Sequence, residues 1–155
     1  MKVKWLVVHT SASASAGKVL YPTVDDVRAW HKAKGWKDIG YHWFIEGSGA
    51  LKRGRPESLA GAHVMGLNQS SVGVCVSGHG DFAAFTPEQA HTLITLLVDK
   101  CVEHGIDESR VIGHREVAHV AGAPDPHKTC PGILIDMNAL RLRVAEGLSK
   151  TAPDH

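Results

Sequence analysis

Apolar residues fall along this chain in short runs and stripes of two periods. Trp5 to Val8 is a continuous apolar run reached through the weak alternation of Val3 and Lys4, which predicts a strand over Val3 to Val8 buried on both faces. His9 then stands at its C-terminal end. Ser11 to Gly17 is small and polar, without a period. Val24 to Lys34 reads as a helix, with Thr23 as cap, Asp25 and Asp26 at the positive helix start and Gly35 as the stop. Tyr41 to Glu46 and Ala50 to Arg53, joined by Gly47-Ser48-Gly49, predict two antiparallel strands.

Pro56 to Ser71 keeps no period and reads as a loop packed over the sheet edge, followed by a buried strand over Val72 to Val76. The clearest helix begins at Thr86-Pro87-Glu88-Gln89, where Thr86 caps and Gln89 closes a capping box. Its apolar stripe is Ala90, Leu93, Ile94, Leu97, Val98, Cys101 and Val102. Arg110 to Ile112 makes a short strand that delivers Gly113-His114. A loop rich in Gly and Pro leads on to Cys130-Pro131-Gly132, and Asp136 caps a last helix through about Leu148. Strands interleaved with helices around an early hairpin predict an α/β fold: one domain over 1–150 with a central mixed β-sheet flanked by about three helices. Residues 151–155 are expected to be a disordered tail.

Composition narrows the partners. Across 155 residues, 17 Lys and Arg nearly cancel 16 Asp and Glu, and no block of like charge suggests a nucleic-acid face. No stretch approaches the roughly 18 apolar residues of a membrane span, and the start lacks the apolar core and cleavage site of a signal peptide. No membrane insertion is expected.

Eleven histidines direct attention to metal. His9 and His114 both stand at predicted strand ends, where ligands gather in α/β folds, and Cys130 follows on a loop returning toward the same edge. A His, His, Cys set leaves a fourth zinc position open for water, the pattern of catalysis rather than of a structural staple. On spacing alone, capping or core histidines remain the alternative. Tyr41 reads equally as a strand aromatic, and Lys128 as a solvated loop charge. His42 should point to the sheet face opposite Tyr41 by alternation, as a core or structural group. His31, His79, His91 and His104 read as ordinary helix or loop residues.

Val8-His9-Thr10-Ser11-Ala12, Gly40-Tyr41-His42-Trp43-Phe44-Ile45, Ser71-Val72-Gly73-Val74-Cys75 and Gly113-His114-Arg115-Glu116-Val117 fall in one order. Trp30-His31 through Gly35-Trp36, Gly61-Ala62-His63 with Gly66 and Asn68, and Lys128-Thr129-Cys130-Pro131 extend the pattern over nearly the whole chain. It resembles the T7-lysozyme-like N-acetylmuramoyl-L-alanine amidases, relatives of the peptidoglycan recognition proteins. The resemblance implies zinc held by His9, His114 and Cys130, catalytic side chains at Tyr41 and Lys128, and a substrate groove bordered by His63 and Asn68. It implies peptidoglycan as partner and a monomer. The enzyme would be a phage or prophage endolysin, made in the bacterial host cytoplasm and acting on the wall after release.

Two departures qualify the match. The stretch Ala118 to His127 lengthens the gap between His114 and Cys130, which brings in His119, His127 and Asp125 as fallback ligands. Cys75 stands where recycling amidases of the superfamily carry glutamate, so the chain resembles the phage branch. A non-catalytic peptidoglycan-binding module and a cytoplasmic recycling amidase are the alternative readings.

Overall fold

A computed structural model describes residues 1–151. Eleven regular elements follow one another: β1 (Trp5–Thr10), β2 (Ala14–Ser15), β3 (Lys18–Val19), α1 (Val24–Ala33), β4 (Trp43–Ile45), β5 (Leu51–Arg53), β6 (Ser71–Val76), α2 (Pro87–His104), β7 (Val111–Gly113), α3 (Val117–Ala121) and α4 (Met137–Thr151). Five strands form a mixed sheet in the order β5-β4-β6-β1-β7. Only the β4–β5 hairpin is antiparallel within it, and β1 runs parallel to both β6 and β7.

Because β1 is central, both of its faces need cover, which explains why its sequence is a run rather than an alternation. On one face Leu6, Val8, Val72, Val74 and Val111 pack beneath Leu93 and Leu97 of α2 and Leu140 and Val144 of α4. The opposite face carries two separate apolar clusters. Val7 and Ile112 pack with Val64, Leu67 and Val117, while Phe44 and Cys75 pack with Val24, Val27 and Ile39. His9, two residues beyond Val7, projects from that same face with the period of a strand. It is 2% exposed.

The helix signals act as the sequence predicts. Thr86 Oγ1 accepts from Gln89 N, and Gln89 Oε1 accepts from Thr86 N. The same reciprocal box closes between Thr23 and Asp26. Asp136 Oδ1 accepts from Ala139 N at the start of α4. That helix runs one residue into the expected tail, whose remaining positions, 152–155, lie outside the described residues.

Three details differ from expectation. Ser11 to Gly17 leads into a small antiparallel ribbon, β2 with β3, turned at Ala16 and Gly17, both at positive φ. The loop 56–71 crosses the sheet face rather than its edge, since Val64 and Leu67 cover Val7. His42 does not follow strand alternation because β4 starts only at Trp43. Its backbone N–H donates to Gly73 O and its Nδ1 accepts from Gly73 N, so the ring extends the β4–β6 ladder as a structural group.

The crossing loop is tied down at its start by Glu57, which accepts from Trp43 Nε1 at 2.9 Å and pairs with Lys100 and His104 of α2. Burial raises the Glu57 pKa, but these donors outweigh it and hold the carboxyl below its ordinary value. A depressed carboxylate stabilises the fold above its unfolded pKa of about 4.3, and the contribution is lost as pH falls through the folded value. Glu57→Gln should therefore cost about 1–3 kcal/mol at neutral pH. In urea titrations at pH 7 and in acid, the gap from the parent protein should close at the lower pH; an unchanged gap would remove the ion pair as its cause.

Candidate metal centre

The gap between the two apolar clusters is where the chemistry-bearing side chains meet. His9 comes from β1, His114 from the short 3-10 turn His114–Glu116 directly after β7, and Cys130 from the loop before α4. One ligand atom from each lies within 4.8 Å of the other two. The ring centroids of His9 and His114 are 4.7 Å apart, and Cys130 Sγ is 3.8 Å from His9 Nδ1. Bonds of about 2.3 Å to sulfur and about 2.0 Å to nitrogen put two tetrahedral zinc ligands roughly 3.6 Å apart. The donor set and its spacing therefore fit zinc, with no need of the fallback residues. His127 and Asp125 are exposed and face each other, and His119 is exposed on α3.

Charge is scarce at this site. Burial lowers the pKa of His9 well below its ordinary value, and His63, His114 and Lys128 add to the effect. Burial likewise lowers His114, followed by the Lys128 charge. Both imidazoles are thus neutral at pH 7, the state that can ligate. Burial pushes the Cys130 thiol up to about 11 in the metal-free chain, whereas a coordinating thiol is deprotonated by its ion.

The residues around Cys130 explain how a Gly- and Pro-rich loop holds a ligand in place. Arg115 donates to the carbonyls of Thr129, Gly132 and Ile135, and its backbone N–H donates to Cys130 O. From the far side Asp81 accepts from Thr129 Oγ1 and Ile133 N. On the His114 side, Glu116 accepts from Gly113 N and pairs with Arg141 of α4 at 2.8 Å. Arg115, Glu116 and Asp81 were not singled out from the sequence as site residues. Arg115 and Glu116 do sit in the same short motif as His114.

Tyr41 lies over His9, with ring centroids 5.1 Å apart. Burial raises its pKa well above the ordinary value, and the neighbouring Cys75 and Cys130 add to this. Lys128 is exposed, and it borders each of three adjoining cavities. The largest, about 440 Å³, contains the triad, Tyr41 and a wall made by Trp30, His31, Lys34 and Trp36. His31, read from sequence as an ordinary helix residue, stacks on Trp36 at 4.7 Å and accepts from Gly40 N.

His63 is buried behind the triad at the edge of the same cavity, its Nδ1 2.9 Å from His9 Nε2. Burial lowers its pKa to about 3, so this ring too is neutral. Asn68 does not border the cavities described above; its Oδ1 accepts from His63 N and Val64 N and shapes the loop under His63.

Comparison with known proteins agrees with this geometry. The family model described as N-acetylmuramoyl-L-alanine amidase matches residues 1–133. The endolysin of Escherichia phage T7 is 40% identical over 119 residues, covering 73% of this chain and 75% of that protein. The solved N-acetylmuramoyl-L-alanine amidase LysC from Clostridium intestinale superposes with a TM-score of 0.78 at 25% identity, over 92% of this chain and 85% of that one. Drosophila PGRP-LB in complex with tracheal cytotoxin superposes with a TM-score of 0.70 at 25% identity, over 86% and 77%. By both the extent of the family match and the identity to phage endolysins, the chain belongs to the N-acetylmuramoyl-L-alanine amidase family.

Proposed function

We propose that this protein is a zinc-dependent peptidoglycan hydrolase that cuts the amide between N-acetylmuramic acid and L-alanine, acting as a phage or prophage endolysin. The observation that carries the reading is the neutral, buried His9, His114 and Cys130 set opening onto a groove with Lys128 at its rim. Zinc held by these three would supply a Lewis acid and a water acidified to a pKa of about 7. Amide hydrolysis passes through a tetrahedral state with negative charge on the former carbonyl oxygen. The Lys128 ammonium, bordering the cavities around the triad, stabilises that charge. Tyr41 keeps its hydroxyl proton at neutral pH and so can donate a hydrogen bond or relay a proton beside His9.

His63 borders the groove with its ring edge, since both its nitrogens are engaged within the protein. Asn68 contributes by fixing that loop. The aromatic wall of Trp30 and Trp36 with Lys34 suits a chain that presents both sugar faces and carboxylates. The partner is peptidoglycan, engaged by a monomer without nucleic acid or membrane insertion. Among the described residues no helix is long and apolar enough to cross a membrane. The enzyme is made in the host cytoplasm and meets the wall after release.

The bond is the test. Sacculi digested with the protein should release stem peptides with new L-alanine amino termini and leave long glycan strands. New reducing sugar ends would mean glycosidase action, and binding without any new termini would mean a recognition module.

A further inference from the structure

His9 Nδ1 faces Cys130 Sγ, so it is the nitrogen available to a metal, and Nε2 points the other way, to His63. A neutral imidazole carries its proton on one nitrogen only. If that proton sits on Nδ1, the metal-facing lone pair is gone. The question is therefore what fixes the His9 proton on Nε2, and a chain of buried groups answers it.

The chain is read from its far end. The Ser71 hydroxyl donates to the Leu67 carbonyl at 2.7 Å, and a carbonyl can only accept. With its single proton committed, Ser71 Oγ can only accept from its other neighbour, His63 Nε2, at 3.1 Å. His63 Nε2 must then carry the proton of that ring, which leaves Nδ1 as a bare acceptor. His9 Nε2, 2.9 Å away, must be the donor, and its Nδ1 is left unprotonated toward Cys130.

We infer that His63 and Ser71 are positioning residues that set the His9 tautomer for metal binding through this one-directional hydrogen-bond chain. The inference rests on the zinc reading above. The fold commits space to it. A Cβ on Gly73 would lie 2.6 Å from His63 Cγ, and one on Gly61 would lie 2.7 Å from His63 Cδ2, so the ring fits between two glycines. Asn68 braces the backbone of His63 itself. Ser71 and His63 are both buried, which leaves water little chance to substitute for either partner.

Groups that orient a metal-bound imidazole typically change metal affinity by about 10- to 100-fold when removed. Long-range nitrogen–proton correlation spectra of the metal-free protein at pH 7 should show His9 protonated on Nε2. Chelator competition should show zinc affinity about 10-fold or more weaker in His63→Ala and Ser71→Ala. His63→Asn places an acceptor oxygen where Nδ1 stands and should bind zinc more tightly than His63→Ala. A role in packing alone would not produce that order together with a fixed tautomer. His9 protonated on Nδ1 in the unsubstituted chain would overturn the inference, and so would His63→Ala and Ser71→Ala both binding zinc within about twofold of it. The spectrum needs no variant to fold. Failure of the unsubstituted chain to bind zinc would instead remove the zinc reading, while the tautomer would still be read from the metal-free chain.

Discussion

Replacing His9, His114 or Cys130 singly with Ala should empty the metal site and abolish hydrolysis of sacculi. Each substitution leaves two of three ligands, and the ligand atoms are too closely grouped for another side chain to take the missing place. His127 and Asp125 point outward to solvent, and His119 lies on the exposed side of α3. A Lewis acid is worth several kcal/mol at a developing oxyanion, and about 1.4 kcal/mol is tenfold in rate, so a loss on the order of 10³-fold or more is expected. The three variants should differ in stability. His9 is fully enclosed between two apolar clusters, so its removal leaves a cavity, whereas Cys130 sits on a clamped loop and should cost less. Metal analysis on the purified variants, beside turbidity loss of sacculi, is the measurement. Full zinc content in all three with activity retained would overturn the assignment.

Much of this arrangement is legible in the sequence because it is encoded locally. The capping boxes at Thr23 and Thr86 need only residues three apart, and the run Trp5 to Val8 reports its own burial. The ligands follow from strand ends and from motif order. What is not legible depends on direction and on distance along the chain. Periodicity gives α1 an apolar stripe, but nothing in it says that the neighbouring Trp30, His31 and Trp36 would wall the cavity beside Tyr41. His42 defeats alternation because the strand starts one residue later than its composition suggests. Arg115 and Asp81 act on backbone groups of the Cys130 loop, and such contacts leave no pattern in side-chain type. The hydrogen-bond chain from Leu67 through Ser71 and His63 to His9 spans three segments, and its polarity is set by a serine hydroxyl that reads as an ordinary strand residue.

Lys128→Ala and Tyr41→Phe should keep zinc and a normal unfolding transition while turnover collapses. Neither side chain belongs to the ligand set, so loss of either acts on the reaction and not on the metal. Lys128 is exposed, which means its removal creates no cavity and strands no buried charge. Its charge nevertheless reaches His9, His114 and Cys130, each of whose pKa values it lowers, so it stands close enough to act on an oxyanion formed beside them. Electrostatic groups of this kind are worth roughly 10²- to 10³-fold in rate. Lys128→Arg keeps the charge on a bulkier, planar head and should recover part of the loss, which separates charge from shape. Tyr41→Phe removes only a hydroxyl from a buried ring that still packs on His9, and a proton-relay role would again cost roughly 10²-fold. Because Lys128 is two positions from Cys130, zinc content and turnover must be measured on the same sample. Near-parental turnover in Lys128→Ala with zinc bound would take the lysine out of the reaction. The oxyanion would then depend on the metal alone, and the next cation to substitute would be Lys34 on the opposite wall of the cavity.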